Sequence, residues 1–312
     1  MEVLETDLDA LRCRMSATKM GYIDDPYIQY FLPRRSIHKP PIINRGTYVR
    51  TWSIDHVLEN FLSKLEGKKQ IISLGAGTDT RAFRFLTKLP KESIKFIELD
   101  LYPNCVRKIQ SIAKQEALQA MLGVYTIDAK KGILLSESLD ILPFDIRRIP
   151  ETGLPERANQ GLPTIVLSEC CLCYLEPKEA NSICQWFRER FSCVGILVYE
   201  PIQGMDSFGK MMKSNLASRG IYLKTLDSYN TVEDQEKRFT DNGFQHTTVL
   251  DFAALEREWI PETEKKRIAK IEMLDELEEW DLLAKHYCLV FTTTHSLYEK
   301  LNLQKGNDQP NG

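Results

Sequence analysis

The segment IISLGAGTDTRAF (71–83) ends an apolar run with two glycines one residue apart. Gly75 and Gly77 permit a tight turn and a close backbone approach, and a helix after them offers unpaired N–H groups to a ligand. A dinucleotide fingerprint needs a third small residue, yet Thr78, Asp79 and Thr80 follow Gly77. Asp79 can cap the helix start, and it sets a negative charge where a pyrophosphate would lie. A P-loop is excluded, since no Gly-Lys-Ser/Thr follows. A glycine pair alone is also compatible with a purely structural turn.

The next apolar run, IKFIELD, ends at Asp100, 23 residues beyond Gly77, with Glu98 two positions earlier. An acid at the carboxyl end of the neighbouring strand suits ribose hydroxyls. Taken with the glycine turn, it points to a nucleoside without phosphates rather than a dinucleotide. S-adenosylmethionine has that chemistry: adenosine, a cationic sulfonium and an amino-acid end. A third run, TIVLSECCLCYLEP, brings Glu169 to the same sheet edge, followed by Tyr174. A carboxylate there can meet the α-ammonium or lie near the sulfonium charge, or it can simply close a strand. Cys170 and Cys173 form a C-x-x-C, but on a strand an odd separation points them to opposite faces, so no metal or redox role is expected. Eight scattered cysteines suit a reduced cytosolic interior. The five histidines form no ligand motif.

These residues need a scaffold, and the strand–helix alternation supplies one. Strands are expected at QIISL, IKFIEL, TIVLSEC and VGILVYE, with helices over 78–88, 103–121 and 177–191 between them. Continuous apolar strands in such an order imply a parallel sheet covered on both faces. Upstream, helices are expected over 5–20, 27–32 and 48–65, with 38–46 as a loop. Downstream come helices over 206–219 and 231–242, strand HTTVLDF, one charged helix over 261–285, strand HYCLVFTTT and a frayed polar tail. GVYTID and DILPFDI compete for one strand between 121 and 145. The expected organisation is one domain: a helical cap (1–66), a cofactor-binding core (67–200), a helical insertion (201–245), closing strands and helix (246–300) and a tail (301–312).

At 312 residues and 43% hydrophobic, the chain can bury a sizeable core. With 41 basic and 44 acidic residues the net charge is −3, which argues against bulk nucleic-acid or membrane-surface binding. The acidic start MEVLETDLDALRCRM has no signal-peptide core, and no apolar run reaches about 18 residues.

GYIDDPYIQYF, INRGTYVRT, SLGAGTDTR, FIELD, ILPFDIR, TIVLSECCLCYL, DSFGKMMKSNL and LDELEEW…HYCLVF occur in order. This set resembles the leucine carboxyl methyltransferases, which methylate the C-terminal leucine of the type 2A protein phosphatase catalytic subunit. The resemblance covers about residues 8–294, with 122–138 fitting poorly. It implies a class I S-adenosylmethionine-dependent methyltransferase: a Rossmann-like α/β fold with a mostly parallel seven-stranded sheet, a helical N-terminal cap and a helical insertion. It further implies that Arg14, where the family commonly has Lys, Arg50, Gly75, Asp100 and Glu169 hold the cofactor, with Gly77 in the same loop. Asp145, with Ile146 where the family often has Leu, would meet the adenine, and Asp128 is the rival. Arg50 would grip the cofactor's carboxylate or steer the substrate's, and Tyr174 would donate a hydrogen bond at the transfer point. Phe208, Met211 and Met212 are candidates for an apolar substrate wall. The implied partner is the phosphatase catalytic subunit, with no nucleic acid or membrane. A monomer is expected, in the cytoplasm and also the nucleus. Two other readings stay open: a related branch that methylates a carboxyl group in a modified tRNA nucleoside, and an inactive phosphatase-binding chaperone.

Overall fold

The computed structural model describes residues 3–32 and 38–301; the expected tail beyond 301 lies outside them. Nine strands form one sheet: β1 (Lys69–Leu74), β2 (Ile94–Asp100), β3 (Tyr125–Asp128), β4 (Ile133–Ser136), β5 (Leu139–Pro143), β6 (Thr164–Glu169), β7 (Val194–Pro201), β8 (His246–Asp251) and β9 (Tyr287–Thr293). Their order is β3-β4-β5-β2-β1-β6-β7-β9-β8. β5, β2, β1, β6 and β7 are parallel, and β9 runs antiparallel between β7 and β8. Seven strands from β5 to β8 form the expected sheet. β3 and β4 add an antiparallel pair on the β5 side, so GVYTID and DILPFDI do not compete: each becomes a strand, and DILP takes the inner parallel place.

The core strands are buried on both faces because helices pack on each side. Ile71 joins the core beneath the N-terminal helices, while its neighbour Ile72 joins the core on the opposite face. Helix α1 (Val3–Met20) and helix α2 (Pro41–Lys64) cover the first face. α2 begins within the expected loop, since Pro41 at its first turn has no N–H to leave unpaired. Its Ile54, Val57, Leu58 and Phe61 are fully buried. Helix α3 (Arg81–Leu86) follows the glycine turn, and helix α4 (Tyr102–Ile112) follows β2. The stretch expected as one helix over 103–121 is split, with Glu116–Gln119 as a separate turn, and 27–32 reduces to a 3-10 turn at Ile28–Tyr30.

The charged segment 261–285 is two helices, Glu262–Ala269 and Leu277–Ala284, rather than one. Packing sets the break: Ile268 is buried on one side and Trp280 on the other, its indole N–H donating to Glu256 Oε2 at 2.9 Å. Helices Ser207–Ala217 and Val232–Asp241 lie between β7 and β8. No helix among the described residues is long and apolar enough to cross a membrane.

Register fixes where the chemistry sits. Leu74 pairs with Leu99 and Ser168, Asp100 with Pro143, and Glu169 with Tyr199. The carboxyl ends of five parallel strands therefore stop along one edge, where open α/β sheets bind ligands.

Candidate active site

The turn after β1 needs its glycines. Gly75 has φ +66°, and a Cβ there would lie 2.6 Å from Cys171 Sγ; Gly77 has φ +49°, and a Cβ would lie 2.3 Å from Asp7 Oδ1. Asp7 comes from α1 and accepts both the N–H and the hydroxyl of Thr78, each at 2.7 Å. Arg14, about two turns further along α1, extends Nη2 to Thr78 Oγ1 at 3.3 Å. The N-terminal helix is thus fastened directly to the glycine turn. On the opposite side, Asp100 accepts the N–H of Gly77 (2.6 Å), that of Leu101 (2.6 Å) and the amide of Asn104 (2.9 Å). Burial raises the Asp100 pKa, and these three donors oppose that rise.

Behind the turn lies a buried charge cluster. Asp79 accepts the N–H of Arg81 at 3.0 Å, the expected cap, and its other oxygen takes the Arg81 guanidinium at 2.7 Å. Arg81 also donates to Asp55 at 2.8 Å and to Glu169. Arg50, from α2, donates to the other Glu169 oxygen, and its guanidinium lies 4.7 Å from the centre of the Tyr199 ring. Burial pushes the Glu169 carboxyl up, but Arg50, Arg81 and Arg14 outweigh it and hold the carboxyl well below the usual range. Glu169 is therefore a fixed anion between two arginines at the end of β6.

Above this cluster is a cavity of about 560 Å³. Arg14, Arg50, Gly75, Gly77 and Asp100 line it, as do Asp145, Ile146, Glu169 and Tyr174. The residues assigned by the resemblance to the cofactor and to the transfer point are thus brought to one cavity. Asp145 follows β5, held in a fork by Arg147 at 2.6–3.2 Å. Its rival Asp128 sits in the outer β3–β4 pair and does not reach the cavity. Tyr174 shares a hydrogen bond with Thr6, and burial raises its phenol pKa far above the ordinary value.

Several expectations are corrected. Glu98 is no cavity residue: it is buried against Lys108 Nζ at 2.6 Å, beneath the site, because α4 turns that lysine inward. Burial, partly offset by Lys108, raises the Glu98 pKa to about 7. Phe208, Met211 and Met212, the candidates for an apolar wall, do not line this cavity. Phe208 packs on His286, Met212 takes the Tyr287 hydroxyl, and Met211 is 62% exposed. Leu216, Leu223 and Leu283 line the cavity instead. Cys170 and Cys173 do not alternate across a strand either, since β6 stops at Glu169 and Cys170 turns to φ +52°.

Sequence reasoning missed Arg81, Asp55, Asp7 and Tyr199. A signal existed for the first: a cation in the opening turn of a helix opposes the helix dipole, so Arg81 breaks a local rule that only a buried anion cluster offsets. The other three sit on elements distant in sequence and gave no local sign.

The model of the family described as leucine carboxyl methyltransferase matches residues 2–188. Among curated proteins, leucine carboxyl methyltransferase 1 of Schizosaccharomyces pombe is 61% identical over 97% of this chain and 98% of its own length. A leucine carboxyl methyltransferase 1 homolog of Arabidopsis thaliana is 34% identical, covering 95% and 90%. Among solved structures, a putative methyltransferase from Thermobifida fusca aligns over 82% of this chain and 84% of that one, with TM-score 0.52 and 12% identity, a likeness of fold.

Proposed function

Because the chain belongs to the leucine carboxyl methyltransferase family, methyltransferases whose donor is S-adenosylmethionine, we propose that it methylates the C-terminal leucine carboxylate of a type 2A protein phosphatase catalytic subunit. The observation that carries this reading is the convergence of Arg14, Arg50, Asp100, Asp145 and Glu169 on one cavity at the carboxyl edge of the sheet.

The residues fit the donor. The cradle at Gly75 and Gly77 admits close backbone approach, and a Cβ at either position would collide. Arg14 Nε is buried without a hydrogen-bond partner, so a cation is aimed at the cavity with one donor unmet. Arg14 and Arg50 would hold the amino-acid carboxylate, Glu169 the ammonium, Asp100 the ribose, and Asp145 with Ile146 the adenine end. When bound, the donor supplies a sulfonium methyl that is already activated for transfer.

What remains for the protein is positioning. A terminal carboxyl has a pKa of about 3.3–3.7 and is ionised at neutral pH, so no side chain must remove a proton. Tyr174 stays protonated because burial raises its phenol, and it serves as a donor rather than a base. Leu216, Leu223 and Leu283 offer an apolar wall for a leucine side chain and keep water from the carboxylate. Arg50 places positive charge beside that wall. The reading also places the protein in the cytoplasm and nucleus, acting as a monomer on the folded phosphatase.

The test is transfer of a labelled methyl group to purified phosphatase catalytic subunit, intact and lacking its terminal leucine. Label on the intact subunit alone is expected. Label that ignores the leucine would overturn the assignment.

A further inference from the structure

Arg50 reaches the cavity from α2, and the bond that holds it leaves its far end free. Its Nε–H donates to Glu169 Oε1. Its terminal Nη1 and Nη2 groups have no hydrogen-bond partner among the described residues and stay accessible, while Arg50 itself lines the cavity. A guanidinium is a rigid planar fork whose paired N–H groups match the two oxygens of a carboxylate. With Nε spent on Glu169, the terminal pair is the edge left for a ligand. One hydrogen bond, however, fixes a point of a planar group and not its plane. About that single contact the fork could still swing.

Tyr199 removes that freedom. The Arg50 Cζ lies over the Tyr199 ring, 4.7 Å from its centre, within the range where a cation is drawn to a ring face. The ring is itself held firmly. Tyr199 is 3% exposed on β7, in register with Glu169 on β6, so paired strands grip Arg50 from two directions. Tyr287 of β9 stacks on Tyr199 at 5.5 Å and 3°. Phe252, which opens the short helix Phe252–Glu258, packs on it at 5.3 Å and 25°. All three aromatic residues line the cavity. We propose that Tyr199 is a positioning residue: its ring face sets the plane of the Arg50 guanidinium so that the terminal N–H pair meets a carboxylate in the cavity. That carboxylate belongs to the amino-acid end of the methyl donor or to the terminus of the substrate. The effect on transfer rests on the methyltransferase reading; the contact between Arg50 and Tyr199 does not.

The experiment compares Tyr199→Phe in the full chain with pentafluorophenylalanine introduced at the same position. The two rings have nearly the same shape, but fluorination reverses the charge of the face. A ring that only fills space would not distinguish them. Tyr199→Phe should keep kcat/KM for methyl transfer within about twofold of wild type, and the fluorinated ring should lower it about three- to thirtyfold. Weakened S-adenosylmethionine affinity in calorimetry would assign the carboxylate to the donor; a raised KM for the phosphatase alone would assign it to the substrate. In an Arg50→Met background the two rings should differ by less than about twofold, because the cation they act through is gone. Equal activity of the two rings with Arg50 present would overturn the proposal. So would an equal loss with and without Arg50. Wild-type protein that transfers no methyl group would instead count against the proposed function. Urea unfolding of the same four variants then decides the contact: fluorination should destabilise the chain that has Arg50 and not the one that has lost it, and equal effects in both would overturn it.

Discussion

Replacing Arg81 with methionine keeps the length and apolar stem of the side chain and removes its charge. The guanidinium is 3% exposed and meets Asp55, Asp79 and Glu169. After the change Asp55 keeps Arg84, at 2.7 and 3.1 Å, and Glu169 keeps Arg50. Asp79 loses its only directly paired cation among the described residues. Removing one partner from a buried ion pair costs about 3–5 kcal/mol; two carboxylates here retain a partner, so about 3 kcal/mol at pH 7 is the expected loss. The loss should depend on pH with a definite sign. Burial raises the Asp79 and Glu169 carboxyls, but the arginines outweigh it and depress both. A depressed carboxyl contributes stability that is complete above its unfolded pKa, about 4, and fades as pH falls toward the folded value. Without Arg81 the depression shrinks, so the variant surrenders less on acidification. The gap between wild type and variant should therefore be widest at neutrality and narrow below about pH 5. Urea unfolding followed by tryptophan fluorescence, at neutral pH and near pH 4, measures both. A loss under about 1 kcal/mol, or a gap that does not narrow with acid, would refute the claim that these carboxylates depend on Arg81.

Two further outcomes are expected. Asp145→Asn should weaken S-adenosylmethionine binding in a calorimetric titration by about 1–3 kcal/mol, whereas Asp128→Asn, in the outer strand pair, should leave it unchanged; the reverse result would move the adenine to another place. The single-turnover methylation rate, with donor and phosphatase saturating, should stay nearly flat from about pH 6 to 8, because a carboxylate nucleophile titrates near 3.5 and the buried Tyr174 far above neutrality. A steep rise centred near pH 7 would demand a general base.

How much of this was legible in the sequence varied with how local the cause was. β1, β2, β6 and β7 were readable because each is a continuous apolar run, and the edge residues Asp100 and Glu169 followed from where those runs stop. Arg14, Arg50 and Asp145 carry no local signal, and ordered motif resemblance was what singled them out. Glu98 looked equivalent to Asp100 by position; only the inward Lys108 of α4 separates them. The break between Ala269 and Leu277 and the two short outer strands were hidden for a related reason. Each is imposed by neighbours far along the chain rather than by stop signals or strong periodicity. The turn at Cys170 was the sharpest miss, since a non-glycine residue at positive φ gives no warning in sequence.

The position of β9 has a consequence in time. β7 is buried along all eight residues, and its partner on one side is β9, not the next strand to be synthesised. At about 5–20 residues per second, translation from β7 to the end of β9 takes roughly 5–20 s. Throughout that interval the nascent sheet presents an open, apolar strand edge, the kind that templates association with other chains. β8 cannot close it, because in the finished sheet β8 touches β9 and not β7. Any truncation upstream of Tyr287 would make this transient exposure permanent, so premature termination late in the message should yield aggregate rather than a folded protein with part of its activity.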